Sequence, residues 1–170
     1  ADPALRAEWG AFRSEKLVAL SQDLTEVVRE YRPAAKTARN LFATAILAPD
    51  GHVELAQGYK EFLAAYDYVA LMAMPALEDV PHAEPFYSDL ARAVRAVGGF
   101  DKTIFELQTI DWRTGERVPA PALRDTMRML QALGVRNLAY YPDDFIEGHP
   151  ALAPLREGIS VAVYPRGAPP

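Results

Sequence analysis

Hydrophobic positions along this chain fall into two alternating kinds of segment. Between Leu5 and Tyr31 they recur at helical spacing, with Leu17, Leu20, Leu24, Val27, Val28 and Tyr31 marking one face of a long predicted helix. Arg32-Pro33 ends it, because proline disfavours the α conformation in the residue before it. KTARNLFA (36–43) then reads as a short strand, APDG (48–51) as a turn, and Gly58 to Ala65 as a short helix. The most apolar stretch, YDYVALMAMPALE (66–78), carries a strand from Tyr68 to Met74 that stops at Pro75. The pattern predicts a helix from Pro85 to Val97, stopped by Gly98-Gly99, and a third strand from Thr103 to Gln108. A further helix over Pro119–Leu133 is ended by Gly134, and Val135 to Tyr140 forms a fourth strand. HPALAPLREGISVAVYP (149–165) reads as a helical turn and one more extended segment, followed by a flexible tail over 166–170.

Helix and strand thus alternate through the chain. The strands are short and apolar without clean alternation, as expected of an α/β protein whose parallel sheet is covered on both faces. Successive predicted strands start about 32 to 35 residues apart, a spacing that suits βαβ units. Two architectures fit: an open four-stranded α/β sandwich, or half of a (β/α)₈ barrel of the TIM type. A closed barrel needs about 250 residues, more than the 170 present. The chain also opens on a long helix, as if a strand preceded it. The C-terminal half of a (β/α)₈ barrel over residues 1–165 is the favoured expectation.

Composition narrows the function classes. Half the residues are hydrophobic and 24% are charged, a globular profile. The net charge of −5 and the scattered arginines give no footprint for nucleic acid. With no cysteine there is no disulfide or thiolate chemistry, and no apolar run approaches the ~18 residues of a membrane span. His52, His82 and His149 lack metal-ligand spacing, and GxSxG, GxxxxGK[ST] and GxGxxG are all missing, so no metal and no cofactor is expected.

In parallel α/β folds the chemistry sits at the C-terminal ends of the strands. The first strand ends in Arg39, Asn40 and Phe42, and the second in Met74, Pro75 and Glu78. Arg39 is either a structural partner of a carboxylate or a ligand contact. Met72 and Met74 read as core filler or ligand contacts. Pro75 reads as strand termination, and Glu78 and Asp79 as a solvated loop or a site rim. Glu106 interrupts an apolar strand, where an ionised carboxylate is costly unless paired. It is either the partner of a buried Arg such as Arg39 or a site carboxylate. Trp112, in the polar loop DWRTG, is a platform for sugar C–H faces or a loop anchor. In Tyr140-Tyr141-Pro142-Asp143-Asp144 only one tyrosine can face inward, since neighbouring strand residues face opposite sides.

KTARNLFA, YDYVALMAMPALE, the ELQTIDW stretch and GVRNLAYYPDDF, in this order, resemble the C-terminal domain of PgaB-type poly-β-1,6-N-acetyl-D-glucosamine N-deacetylases. The likeness runs from about Trp9 to Pro165. It implies a periplasmic two-domain parent, with outer-membrane anchorage compatible with it: a metal-dependent deacetylase followed by a (β/α)₈ glycoside hydrolase acting on partly deacetylated polymer. Only the second half of that hydrolase is matched. The family's aspartate-rich catalytic motif and the deacetylase's metal ligands have no counterpart here, so no catalytic residue is assigned in this chain. The resemblance makes Trp112 the aromatic ligand-stacking residue, with Arg39, Glu78, Glu106 and Tyr140 lining the cleft beside it. The partners implied are the polymer, the first half of the barrel and the deacetylase domain. A polysaccharide-binding module without catalysis, and a scaffold that only completes a fold, are the alternatives.

Overall fold

The computed structural model describes residues 2–159, in which four parallel strands alternate with helices. Helix α1 (Pro3–Tyr31) begins at Asp2, whose side chain accepts the Ala4 N–H at 3.0 Å, and Pro3 occupies its first turn. Then follow β1 (Ala38–Phe42), α2 (Thr44–Leu47), α3 (Gly51–Leu55), α4 (Tyr59–Ala65), β2 (Tyr68–Ala73) and α5 (Ala83–Ala96). The remaining elements are a 3-10 turn (Gly99–Asp101), β3 (Thr103–Gln108), α6 (Ala120–Ala132), β4 (Asn137–Tyr141) and α7 (Leu152–Ile159). The strands lie side by side in sequence order. The expected extended segment after α7 and the tail over 166–170 lie outside the described residues.

Two strand starts fall later than the sequence pattern predicts, for local reasons. The Thr37 N–H donates to the Asp67 carboxylate at 2.9 Å, so regular pairing of β1 begins at Ala38. The Val135 N–H closes the end of α6 by donating to the Leu130 carbonyl at 3.0 Å, so β4 begins at Asn137. Gly134 has φ +94, a left-handed conformation that glycine takes without a Cβ clash, and it lets the chain turn out of α6. The 48–51 turn leads directly into α3, one of two short helices the pattern did not predict.

Register assigns the strand side chains to two faces. Arg39, Val69 and Thr103 share one row, Leu41, Leu71, Phe105 and Leu138 the next, and Ala73, Leu107 and Tyr140 the third. These rows lie under the helices, where Phe62, Leu90, Val94, Leu123, Met127 and Leu130 complete one buried cluster. Each buried Leu, Val, Phe or Met there contributes roughly 1.5–3 kcal/mol. On the opposite face stand Asn40, Ala70, Ile104 and Asn137, then Phe42, Met72, Glu106 and Ala139, then Gln108 and Tyr141. Most of these are partly or fully exposed, so the sheet has one covered and one open face.

Helix α1 departs from its sequence pattern. Its apolar stripe, including Leu17, Leu20, Leu24, Val27, Val28 and Tyr31, is exposed rather than turned into the core. The side that meets the body carries mostly small and polar residues, with Val18 packed half-buried against the core. Gly10 sits so close to Val53 that a Cβ would lie 2.6 Å from Val53 Cγ1. Arg6 pairs with Glu54, Arg13 donates to the Val53 carbonyl at 2.6 Å, and Arg29 pairs with Asp67 at 3.0 Å. Helices α2 to α4 already fill the core beneath, leaving α1 as an outer layer held by arginines.

Candidate functional site at the strand ends

Glu106 is the single carboxylate that projects from the strands of the open face, in the row of Phe42, Met72 and Ala139. It has no hydrogen-bond or ion-pair partner among the described residues, and partial burial raises its pKa above the ordinary carboxylate value. Two residues on, about 7 Å along the strand, comes the rim row of Gln108 and Tyr141. Gln108 is 8% exposed, and its Oε1 accepts the Ala76 N–H at 2.9 Å, fixing the loop that leaves β2.

Above that rim stand two braced loops. The first runs from Ile110 to Arg117, closed by an antiparallel bridge between those residues and by the Asp111 N–H donating to the Glu116 carbonyl at 2.8 Å. Asp111 accepts from the Arg113 N–H at 2.9 Å and from its guanidinium at 3.0 Å, which holds the Asp111 pKa below the usual range. Trp112 lies at this turn, 42% exposed, stacked on Tyr141 with centroids 6.1 Å apart and planes 26° from parallel. The second loop is bridged between Asp144 and His149. Arg117 joins the two loops, donating to Asp144 at 3.2 Å and to Glu147. His149 Nε2 lies 2.9 Å from the Thr109 carbonyl, and the Thr109 hydroxyl bonds the Pro142 carbonyl.

The predicted site residues are thus divided. Trp112 and Glu106 belong to the rim and the open face. Glu78 lies at the β2 exit but is engaged at the start of α2, accepting from the Thr44 N–H at 3.2 Å and from its hydroxyl. Asp79 sits 3.9 Å from Arg113, in the first rim loop. Arg39 projects from the covered face, its guanidinium 5.8 Å from the Phe62 ring centroid. The expected pairing of Arg39 with Glu106 is therefore excluded, because the sheet lies between them. Tyr140 also turns to the covered face, packed against the core, and its pKa is raised by burial and by the Asp143 charge. Tyr141 takes the open-face position instead. Met74 is buried, 1% exposed, whereas Met72 stands half-buried on the open face.

Gln108 and Tyr141, both at predicted strand ends but not assigned to the cleft by the sequence, complete the rim. The Tyr-Tyr pair carried the signal, but its parity depends on the register of β4 against β3. Among the described residues no cluster of His, Asp or Glu is arranged to hold a metal ion, and no helix is long and apolar enough to cross a membrane.

Known proteins place this geometry. Residues 1–141 match the family model described as hypothetical glycosyl hydrolase family 13. The chain belongs to that family. The chain is 34% identical over 172 residues to a poly-beta-1,6-N-acetyl-D-glucosamine N-deacetylase of Escherichia coli (strain K12), and equally to that of Escherichia coli O157:H7. In both cases the match covers 97% of this chain but 26% of the relative, so the chain spans about a quarter of their length. It also matches the PgaB (BpsB) glycoside hydrolase domain of Bordetella bronchiseptica with a TM-score of 0.87 and 39% identity. That match covers 94% of this chain and 46% of the solved chain.

Proposed function

We propose that this chain is the C-terminal half of a (β/α)₈ glycoside hydrolase domain whose lumen is the open face described above. The domain binds and cleaves partly deacetylated poly-β-1,6-N-acetyl-D-glucosamine within a larger periplasmic deacetylase/hydrolase. The observation that carries the reading is the Trp112–Tyr141 stack standing above a half-buried Glu106 that has no partner among the described residues. A sugar ring has apolar C–H faces that suit an aromatic platform. A glucosamine unit adds an ammonium, which a carboxylate binds through charge-assisted hydrogen bonds. The names of the relatives and of the structural neighbour supply the same polymer and the same reaction class.

Glycoside hydrolysis generally uses two carboxyl groups around the scissile bond. Among the described residues the strands of the open face supply one, Glu106, and the resemblance puts the family's principal acid on an earlier strand, so Glu106 is assigned to binding. That single carboxylate also supports a second reading, a binding module that holds the polymer while a neighbouring domain deacetylates it. Turnover separates the two. Full-length protein incubated with deacetylated polymer should shorten it; tight binding with unchanged chain length over many hours would leave only the binding module. Binding of neither polymer nor oligomers would reduce the chain to a scaffold.

A further inference from the structure

The loop after β4 carries a feature that the aromatic platform does not explain. Phe145 is 89% exposed and Ile146 98%, the most exposed large apolar residues among those described. They are not on a slack segment. The Asp144 N–H donates to the His149 carbonyl at 2.7 Å, and the His149 N–H donates back to the Asp144 carbonyl at 2.9 Å. Asp144 Oδ1 accepts the Ile146 N–H at 3.1 Å and the Glu147 N–H at 3.0 Å, while Arg117 clamps Asp144 and Glu147 from the neighbouring loop. The N–H groups of Asp144, Ile146, Glu147 and His149 are thus all bonded within the loop, and two apolar side chains are held out in water.

Two observations indicate what covers them. First, the tip is continuous with the platform: Phe145 follows Tyr141 by four residues, so their Cα atoms lie at most roughly 14 Å apart. Arg117, which clamps the tip, closes the same turn that carries Trp112. Second, the charge around the tip is negative and partly uncommitted. Asp144 and Glu147 share the single charge of Arg117, and Asp143 and Glu116 have no cationic partner among the described residues. A ligand that meets this rim offers apolar faces and positive charge together.

We propose that the Phe145–Ile146 tip is a second sugar-contacting element, extending the track of Trp112 and Tyr141 to further glucosamine units of the same polymer chain. Asp143 and Glu116 attract the ammonium groups of those units. The inference rests on the reading of the open face as a polymer site, and its test is chosen to fail separately.

The test uses full-length protein and β-1,6-linked glucosamine oligomers of increasing length, fully deacetylated or fully acetylated, titrated calorimetrically. Phe145→Ala should leave the shortest bound oligomer unaffected and weaken longer ones by about fivefold, a loss typical of one aromatic contact. Asp143→Asn should reduce the preference for deacetylated over acetylated long oligomers and leave short ones unchanged. Both positions are exposed, so an unchanged melting temperature establishes that the variants fold. Equal affinity of Phe145→Ala and wild type at every length overturns the proposal. So does an unchanged oligomer affinity accompanied by faster proteolysis between domains, which assigns the tip to protein docking. If the short oligomer is insensitive to Trp112→Ala, the polymer site itself is misplaced, and that result is read independently of Phe145.

Discussion

Replacing Trp112 by alanine is the most direct test of the platform, and its size follows from the geometry. A tryptophan side chain offers about 200 Å² of surface, and Trp112 keeps 42% of its surface exposed although one face stacks on Tyr141. The area a sugar can cover is therefore about 80 Å², worth about 2 kcal/mol at roughly 25 cal/mol per Å². That corresponds to a loss of about thirtyfold in affinity as an upper bound, since part of the ring stays wet in any complex. Calorimetric titration of full-length protein with a short deacetylated oligomer reads it directly. Tyr141→Phe should bind almost as wild type, because the stack needs the ring and not the hydroxyl. Tyr141→Ala should lose part of the effect by freeing Trp112 to reorient. An affinity for Trp112→Ala within twofold of wild type, with the fold intact, would show that Trp112 is only a loop anchor.

Four further outcomes are expected. Glu106 has a raised folded-state pKa, so it costs stability as pH rises from about 4.3 through that value. Glu106→Gln should therefore melt higher than wild type at pH 8 and equally at pH 4, while losing affinity for deacetylated oligomers; a pH-independent difference in melting would refute this. Asp67 has a lowered pKa through the Thr37 N–H, with Lys36 adding to it. Its stabilising contribution is present above about pH 4 and lost as pH falls through its folded value, so Asp67→Asn should flatten the acid limb of the stability curve. Gln108→Leu leaves the buried Ala76 N–H without its acceptor and should cost about 1–3 kcal/mol in denaturant unfolding. The isolated chain, with an open sheet face and the exposed stripe on α1, should self-associate in sedimentation at high concentration, and a clean monomer would contradict that.

The strands were legible because each is a short apolar run bounded by glycine, proline or polar residues, and the predicted starts were off by no more than two residues at Ala38 and Asn137. The faces of those strands were not legible. YVALMA in β2 is apolar on both sides, so nothing in it says which side the helices cover. Arg39 and Tyr140 were misplaced for the same reason: a one-residue change of parity exchanges them for Asn40 and Tyr141. Helix α1 shows a different limit. Its periodicity marks an apolar face correctly but says nothing about what that face meets, and the body is met by Gly10 and the arginines instead. Glu78 looked like a loop charge or a ligand contact, and its bond to the Thr44 N–H depends on a contact across 34 residues of sequence.

What remains unsatisfied at the strand ends defines the ligand more sharply than what is satisfied. Asp111, Arg117, Asp144, His149 and Gln108 are all committed to holding the rim loops, so these loops need no ligand to keep their shape. The groups left available among the described residues include exposed apolar surface at Trp112, Phe145 and Ile146 and, without an ion-pair partner there, the carboxylates of Glu106, Asp143 and Glu116. Because Glu106 is half-buried, its charge is the expensive member of the set, and a bound cation removes that cost by favouring the ionised form. An acetylated unit offers the same ring faces but no charge, so it would gain the stacking and leave Glu106 unpaired. Discrimination between the two sugars then resides mainly in Glu106 rather than in Trp112. Trp112→Ala should accordingly weaken both oligomers by a similar factor, whereas Glu106→Gln should narrow the gap between them. The opposite pattern in the same titrations would move the discrimination to the rim.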